Sequence, residues 1–290
     1  MTKYSIITDS TTDLSPEIIK DLEIDVLPLR FTIDEKTYCD YPDGRELSSR
    51  EFYDLISQGK ESTTAQINVA EFVESFESKL KQGKDVLYIA FSSGLSGTYN
   101  SAVIAAKELM EKYPDRKIRV VDSLCASMGE GLFVYYAVNK SREGLSIDEL
   151  ADWLENNKLK FCHWFTVNDL FHLKRGGRVS ATAAVVGTML SIKPVLHVDD
   201  EGHLIPVKKV RGRKQSLEAL VEQMEIRGID NKENTVFISH GDCQEDAKFV
   251  SDLIKEKFGT KDIRINSIGP VIGTHAGPGT VALFFIGKER

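Results

Sequence analysis

The sequence predicts an α/β fold of two lobes, the N-terminal one with a largely parallel sheet and the C-terminal one with a mixed sheet. Three observations predict it. Short apolar runs alternate with helical periods through the first 160 residues. Beyond them, two extended runs flank Asp199-Asp-Glu-Gly202, the mark of a hairpin. The chain has 290 residues, 41% hydrophobic and 28% charged, which suits two folded units, placed at 1–160 and 161–290.

Residues 4–8 read as a buried strand that ends in a polar cluster, Asp9 to Asp13. A helix follows, with Ser15 before it, Pro16 at its first position and Glu17 in its first turn. The run 26–33 reads as one strand and 34–47 as a loop. Helices are expected over 49–58 and 69–82, the second capped by Asn68 and closed by Gly83. A strand over 86–91, a helix over 98–112, a strand over 118–122 and a helix near 127–142 come next. Ser146 and Glu149 have the spacing of a capping box. After a strand over 161–166 come the Lys174-Arg-Gly-Gly-Arg178 stretch and a small-residue helix over 180–190. The hairpin strands are 195–198 and 204–210, and Pro206 puts the second at a sheet edge. Helices over 214–226 and 244–257 and strands over 236–239, 263–268 and 280–286 complete the chain, with 269–279 read as a loop.

Composition excludes several classes. With 37 basic and 44 acidic residues the net charge is 37 − 44 = −7, without the basic footprint of a nucleic-acid binder. No apolar run approaches the roughly 18 residues that cross a bilayer, and the start shows no secretory pattern. Cys39, Cys125, Cys162 and Cys243 lie far apart, so neither a disulfide framework nor a zinc site is expected, and a reducing cytoplasm fits. The six histidines include no H-x-x-x-H pair, and no metal site is expected. No phosphate-loop motif G-x-x-x-x-G-K-[ST] occurs. Gly277-Pro-Gly279 fits a dinucleotide fingerprint by letter but runs into a strand.

In α/β sheets ligands collect beyond the carboxyl ends of strands. Polar, glycine-bearing loops fall there at 8–13, 91–98, 122–123 and 269–279, and a further one, Ser62-Thr-Thr-Ala-Gln66, precedes a helix. In the loop 92–98, Ser92, Ser93, Ser96 and Thr98 supply hydroxyls, Gly94 and Gly97 permit close backbone approach, and a helix begins just after. Capping by Ser96 or Thr98 explains one hydroxyl; the whole set favours a loop that faces a ligand. Gly94-Leu-Ser-Gly97 is one residue short of the esterase elbow G-x-S-x-G. His275 sits among Gly273, Gly277, Pro270 and Pro278, which favours a functional ring; His163, His172, His197, His203 and His240 have ordinary contexts. The Lys174–Arg178 stretch is either a helix end or an arginine aimed at a carboxylate or phosphate. Lys208, Lys209, Arg211, Arg213 and Lys214 form either a solvated junction or a docking patch.

At these residues the chain resembles the DegV family, the fatty-acid-binding proteins that serve bacterial fatty acid kinase. The resemblance spans essentially the whole chain. It rests on Thr8-Asp-Ser-Thr-Thr-Asp-Leu14, Thr64-Ala-Gln66, Ser92 to Ala102, Val121-Asp-Ser123, Leu173 to Val179, Lys193-Pro-Val-Leu196 and Gly273-Thr-His275 with Gly277. It implies a long-chain fatty acid in a tunnel between the lobes, its carboxylate held by Thr64, Ser93 and His275, with Gly94, Ser96 and Gly97 in the same loop. It further implies a lipid-binding protein and not an enzyme in itself. Arg175 and His275 would assist a separate ATP-binding kinase subunit that turns the bound acid into acyl-phosphate for lipid synthesis. No cofactor is implied beyond the bound acid. Where the family usually has T-S-Q-P, this chain has Thr64-Ala-Gln-Ile67, so one hydroxyl is missing at Ala65. The other readings are a stand-alone enzyme on a small carboxylated or phosphorylated metabolite, using Ser96 and His275, and an interaction module that docks through 208–214.

Overall fold

The computed structural model describes residues 4–168, 170–179 and 192–290. The helix expected over 180–190 lies outside them. The first half runs β1 (Tyr4–Asp9), α1 (Pro16–Leu22), β2 (Asp25–Leu27), β3 (Arg30–Ile33), β4 (Lys36–Cys39), α2 (Ser49–Ser57), β5 (Ser62–Ala65), α3 (Val69–Lys81), β6 (Asp85–Ala90), α4 (Thr98–Lys112), β7 (Ile118–Asp122), α5 (Met128–Arg142) and α6 (Ile147–Asn157). The second runs β8 (Phe161–Thr166), α7 (Phe171–Arg175), β9 (Ile192–Val198), β10 (Leu204–Arg211), α8 (Arg213–Arg227), β11 (Val236–His240), α9 (Gln244–Phe258), β12 (Ile263–Ser267), α10 (Pro270–Ala276) and β13 (Val281–Ile286).

Helix starts follow their caps. Ser48 with Glu51, Asn68 with Glu71 and Ser146 with Glu149 each form a reciprocal capping box. The first sheet is parallel throughout, in the order β2-β1-β6-β7. The mixed sheet has the order β10-β9-β8-β13-β11-β12, with only β11 and β12 parallel. β10 is its edge, as Pro206 requires, and the register slips between Pro206 and Lys208.

The structure corrects the sequence reading in four places. The run 26–33 splits at Pro28: β2 joins the parallel sheet, whereas β3 starts a three-stranded antiparallel sheet, β4-β3-β5. β4 lies inside the expected loop 34–47, because Asp34 and Glu35 both adopt positive φ (52° and 64°) and close a two-residue hairpin. The segment 62–65 is a strand paired with β3. Most of the expected loop 269–279 is the helix α10, with Gly269 before it and Pro270 in its first turn.

One apolar cluster crosses residue 160: Leu132 and Phe133 of α5 share it with Phe161, Phe237 and Phe284. α5 is accordingly buried along most of its length, touching α6 as well as β8, β11 and β13. A second cluster packs Phe31, Phe52, Phe72, Phe76 and Tyr88 between the small sheet, α2, α3 and β6.

Candidate functional site

A cavity of about 430 Å³ lies between the carboxyl ends of the parallel strands and one face of the mixed sheet. Loops after β5, β6 and β7 and the helix α10 form one side; β8, the β9–β10 hairpin and β13 form the other. Most of the wall is apolar, with Phe91, Phe165, Leu204, Val271 and Phe284 among its residues.

Five polar residues of the wall gather in one place. Thr64 Oγ1 lies 2.8 Å from His275 Nε2. The antiparallel register with Phe31 fixes Thr64 on β5, and α10 carries His275 in its last turn. The other face of the imidazole rests on Gly176, where a Cβ would stand 2.1 Å from Nδ1. The carbonyl of Gly176 accepts from Arg178 Nη1, and Arg178 Nε donates to the Leu95 carbonyl at 3.2 Å. Ser96 and Gly97 follow Leu95 on the wall, and Gln66 closes over Gly97 so tightly that a Cβ there would meet its Oε1 at 2.2 Å. Thr64, His275, Arg178, Ser96 and Gln66 thus form one patch drawn from four segments of the chain.

The electrostatics follow from burial. His275 is pushed down to about 4, first by burial and then by the charges of Arg178 and Arg175, so its ring is neutral at pH 7. Its Nδ1 is buried with no hydrogen-bond partner among the described residues. Burial also lowers the Arg178 guanidinium, which stays charged at any working pH. A half-buried cation, a neutral imidazole and two hydroxyls suit an anionic head group, which would otherwise lose several kcal/mol on leaving water.

The three serines of the loop 92–98 do separate work. Ser92 is buried and donates to the Gly202 carbonyl at 2.9 Å, tying the loop to the β9–β10 turn. Ser93 is exposed, lies off the cavity wall, and has its backbone N–H on Asp122 at 3.2 Å. Gly94 also lies off the wall, its missing Cβ making room for Glu201 at 2.8 Å. Ser96 faces the cavity and also accepts the Thr98 N–H at 3.2 Å, so it combines a wall position with a helix start. Arg175 stands off the wall as well, 3.4 Å from Glu61 and over the ring of Phe171.

Sequence reasoning passed over Arg178, Gln66, Ser127 and His163 as wall residues. The signal for Arg178 was in the motif, since the paired glycines turn the chain back and return the second arginine toward the site. His163 gave none: its Nδ1 bonds the carbonyl of Phe161, two residues back, at 2.9 Å, and the room for its ring is left by Gly129, which only the fold brings near. Among the described residues no cluster is arranged to hold a metal ion, and no helix is long and apolar enough to cross a membrane.

Fold and site together define an α/β protein with a mostly apolar cavity and one cationic, hydroxyl-bearing polar patch. The model of the DegV family, described as an uncharacterised protein family, matches residues 3–288. The chain belongs to the DegV family. It is 50% identical over 290 residues to a DegV domain-containing protein of Clostridium perfringens, covering 100% of this chain and 99% of that one. Among solved structures, a DegV lipid-binding protein of Thermotoga maritima is 32% identical with TM-score 0.87, all of both chains being covered. A fatty-acid-binding DegV family protein of Streptococcus agalactiae is 32% identical with TM-score 0.84, again over 100% of both chains.

Proposed function

We propose that this protein binds a long-chain fatty acid in the 430 Å³ cavity, the tail along the apolar wall and the carboxylate against Thr64, Ser96, His275 and Arg178. The observation that carries this reading is the joining of a mostly apolar cavity to that polar patch. The solved relatives described as lipid-binding and fatty-acid-binding support it. Each buried methylene is worth about 0.8 kcal/mol, so a sixteen-carbon tail gains on the order of ten kcal/mol before losses. The head group keeps its charge because hydroxyls and a guanidinium replace water. In this reading the unit 1–160 supplies one wall, completed by α10, the rest of 161–290 supplies the other, and Ser93 and Gly94 shape the loop from behind.

The protein is then a carrier and presenter in the cytoplasm. A separate ATP-dependent kinase transfers the γ-phosphoryl group: a carboxylate oxygen bonds to phosphorus as the bridge to ADP breaks, giving acyl-phosphate. Arg175, off the wall but close enough to His275 to lower its pKa, would face the incoming phosphate. Organic extraction of denatured protein followed by mass spectrometry should release close to one fatty acid per chain. No extract, together with no uptake of added palmitate, would refute the reading. Turnover of a small metabolite without any partner would favour the stand-alone enzyme instead.

A further inference from the structure

We infer that Asp13 and Asp40 are positioning residues for the polar end of the cavity: by holding the start of α10 they set the His275 ring on Thr64. The inference takes its ligand from the fatty-acid reading, whereas the placement of the ring stands independently of it.

α10 separates two cavities. Val271, Ile272, His275 and Ala276 face the large one. Gly269 and Pro270 face a second of about 220 Å³, whose wall includes Asp13 and Asp40. The Gly269 N–H donates to Asp13 Oδ1 at 2.8 Å and the Val271 N–H to Asp40 Oδ2 at 3.4 Å. Pro270, between them, has no N–H to offer. The two carboxylates therefore take two of the free backbone donors at the helix start, where the helix dipole also favours negative charge. Asp13 is itself held: the Ser127 hydroxyl donates to its Oδ2 at 2.5 Å, and the Asn266 side chain donates to its carbonyl at 2.8 Å.

The far end of α10 is pinned to β5 at two rungs. Ser62 and Thr64 lie on one side of the strand; the first meets the Thr274 hydroxyl at 2.7 Å, the second meets His275 at 2.8 Å. A helix of seven residues has no slack to absorb a shift at its start. Movement at Gly269 or Val271 is passed to the imidazole.

The titratable groups facing this anchor are carboxyls, the Tyr53 phenol and the Cys243 thiol. Asp9, Asp13, Asp40 and Glu130 are all buried, and none joins an ion pair among the described residues. Burial raises Asp40 to about 7, with the charge of Asp9 adding to it and the bonds from Val271 and Ser10 opposing. Burial likewise raises Asp13, which faces Asp40 and Asp9, and Glu130, which faces Asp9 and Asp13. Tyr53, flanked by Asp13, Asp40, Asp242 and Cys243, is raised too and stays neutral.

The test uses the full chain with ¹⁵N-labelled histidine, in the parent and in Asp13→Asn and Asp40→Asn, with palmitate as probe. Both variants should shift the His275 ring resonances and weaken palmitate binding about tenfold, as for a lost bond to a charged group. In the parent those resonances should also move between pH 6 and 8, far from the ring's own titration near 4, and Asp40→Asn should abolish that movement. Ring resonances and a pH course identical to the parent's in Asp40→Asn, however far the melting temperature falls, overturn the inference. If Asp13→Asn does not fold, Ser127→Ala loosens the same carboxylate, and an unmoved ring there is equally fatal. A parent that binds no palmitate defeats the fatty-acid reading, while the ring resonances still decide this one.

Discussion

Thr64 and His275 are separated by 211 residues and meet at 2.8 Å, so each becomes a binding group only through the other's placement. Thr64→Val keeps the shape and removes the hydroxyl. Fatty-acid affinity should fall by about 1–3 kcal/mol, the usual value of a hydrogen bond to a charge, as read by isothermal titration. Arg178 supplies the charge, so Arg178→Met should weaken palmitate strongly and leave the matching fatty alcohol almost untouched. Equal losses for acid and alcohol would return Arg178 to a packing role. Gly176 and Gly177 are adjacent but not equivalent. Gly176→Ala puts a methyl 2.1 Å from the His275 ring and should cost binding, whereas Gly177, with φ 72° and open space around it, should cost stability alone. On the proposed presenting role, Arg175→Ala should spare lipid binding and slow acyl-phosphate formation in an assay coupled to an ATP-dependent fatty acid kinase. Loss of binding as well would move it into the head-group site.

At the scale of elements, the small antiparallel sheet is what aims Thr64. Phe31 is the cross-strand partner of Thr64 and is buried edge-on against Phe52 and stacked on Tyr38. Phe31→Ala should therefore cost about 3–5 kcal/mol in chemical denaturation and take head-group affinity with it. This sheet was also the least legible part of the sequence. Long helices with side-chain caps announced themselves, because Ser48, Asn68 and Ser146 act within four residues of their partners. β4 and β5 have only four residues each, and their pairing is fixed by Phe31 and Phe52, which packing alone brings together. α10 was hidden by Gly273, whose missing Cβ leaves room for Tyr53 and Phe52 and so reflects close approach, not a loop. The same limit applies to the site. Of the loops singled out in the sequence, 91–98 and 269–279 line the cavity whereas 8–13 and 122–123 do not; and whether Ser93 or Ser96, Arg175 or Arg178 meets it depends on where each segment turns, which motif letters do not encode.

For the molecule as a whole, His275 and Asp40 contribute opposite slopes of stability against pH. His275 falls from its ordinary 6.5 to about 4, so the unfolded chain binds its proton more tightly and stability is lost as pH drops across that interval. Asp40 rises from 3.8 to about 7, so the folded chain binds the proton more tightly and stability is lost as pH climbs across that interval. Where the windows overlap the slopes oppose: relative to the parent, His275→Gln should lose more stability there as pH climbs and Asp40→Asn should lose less, as read by chemical denaturation across pH 4 to 6.5. Ligand binding breaks this balance. A carboxylate brought beside the His275 ring counters Arg178 and Arg175 and favours the imidazolium, raising a group that begins near 4. Binding between pH 5 and 6 should therefore draw in a fraction of a proton. Titrations of palmitate in buffers of different ionisation enthalpy measure that fraction directly, and it should vanish in His275→Gln. A heat of binding that does not depend on buffer in the parent would mean that the carboxylate sits away from the imidazole, against Arg178 alone.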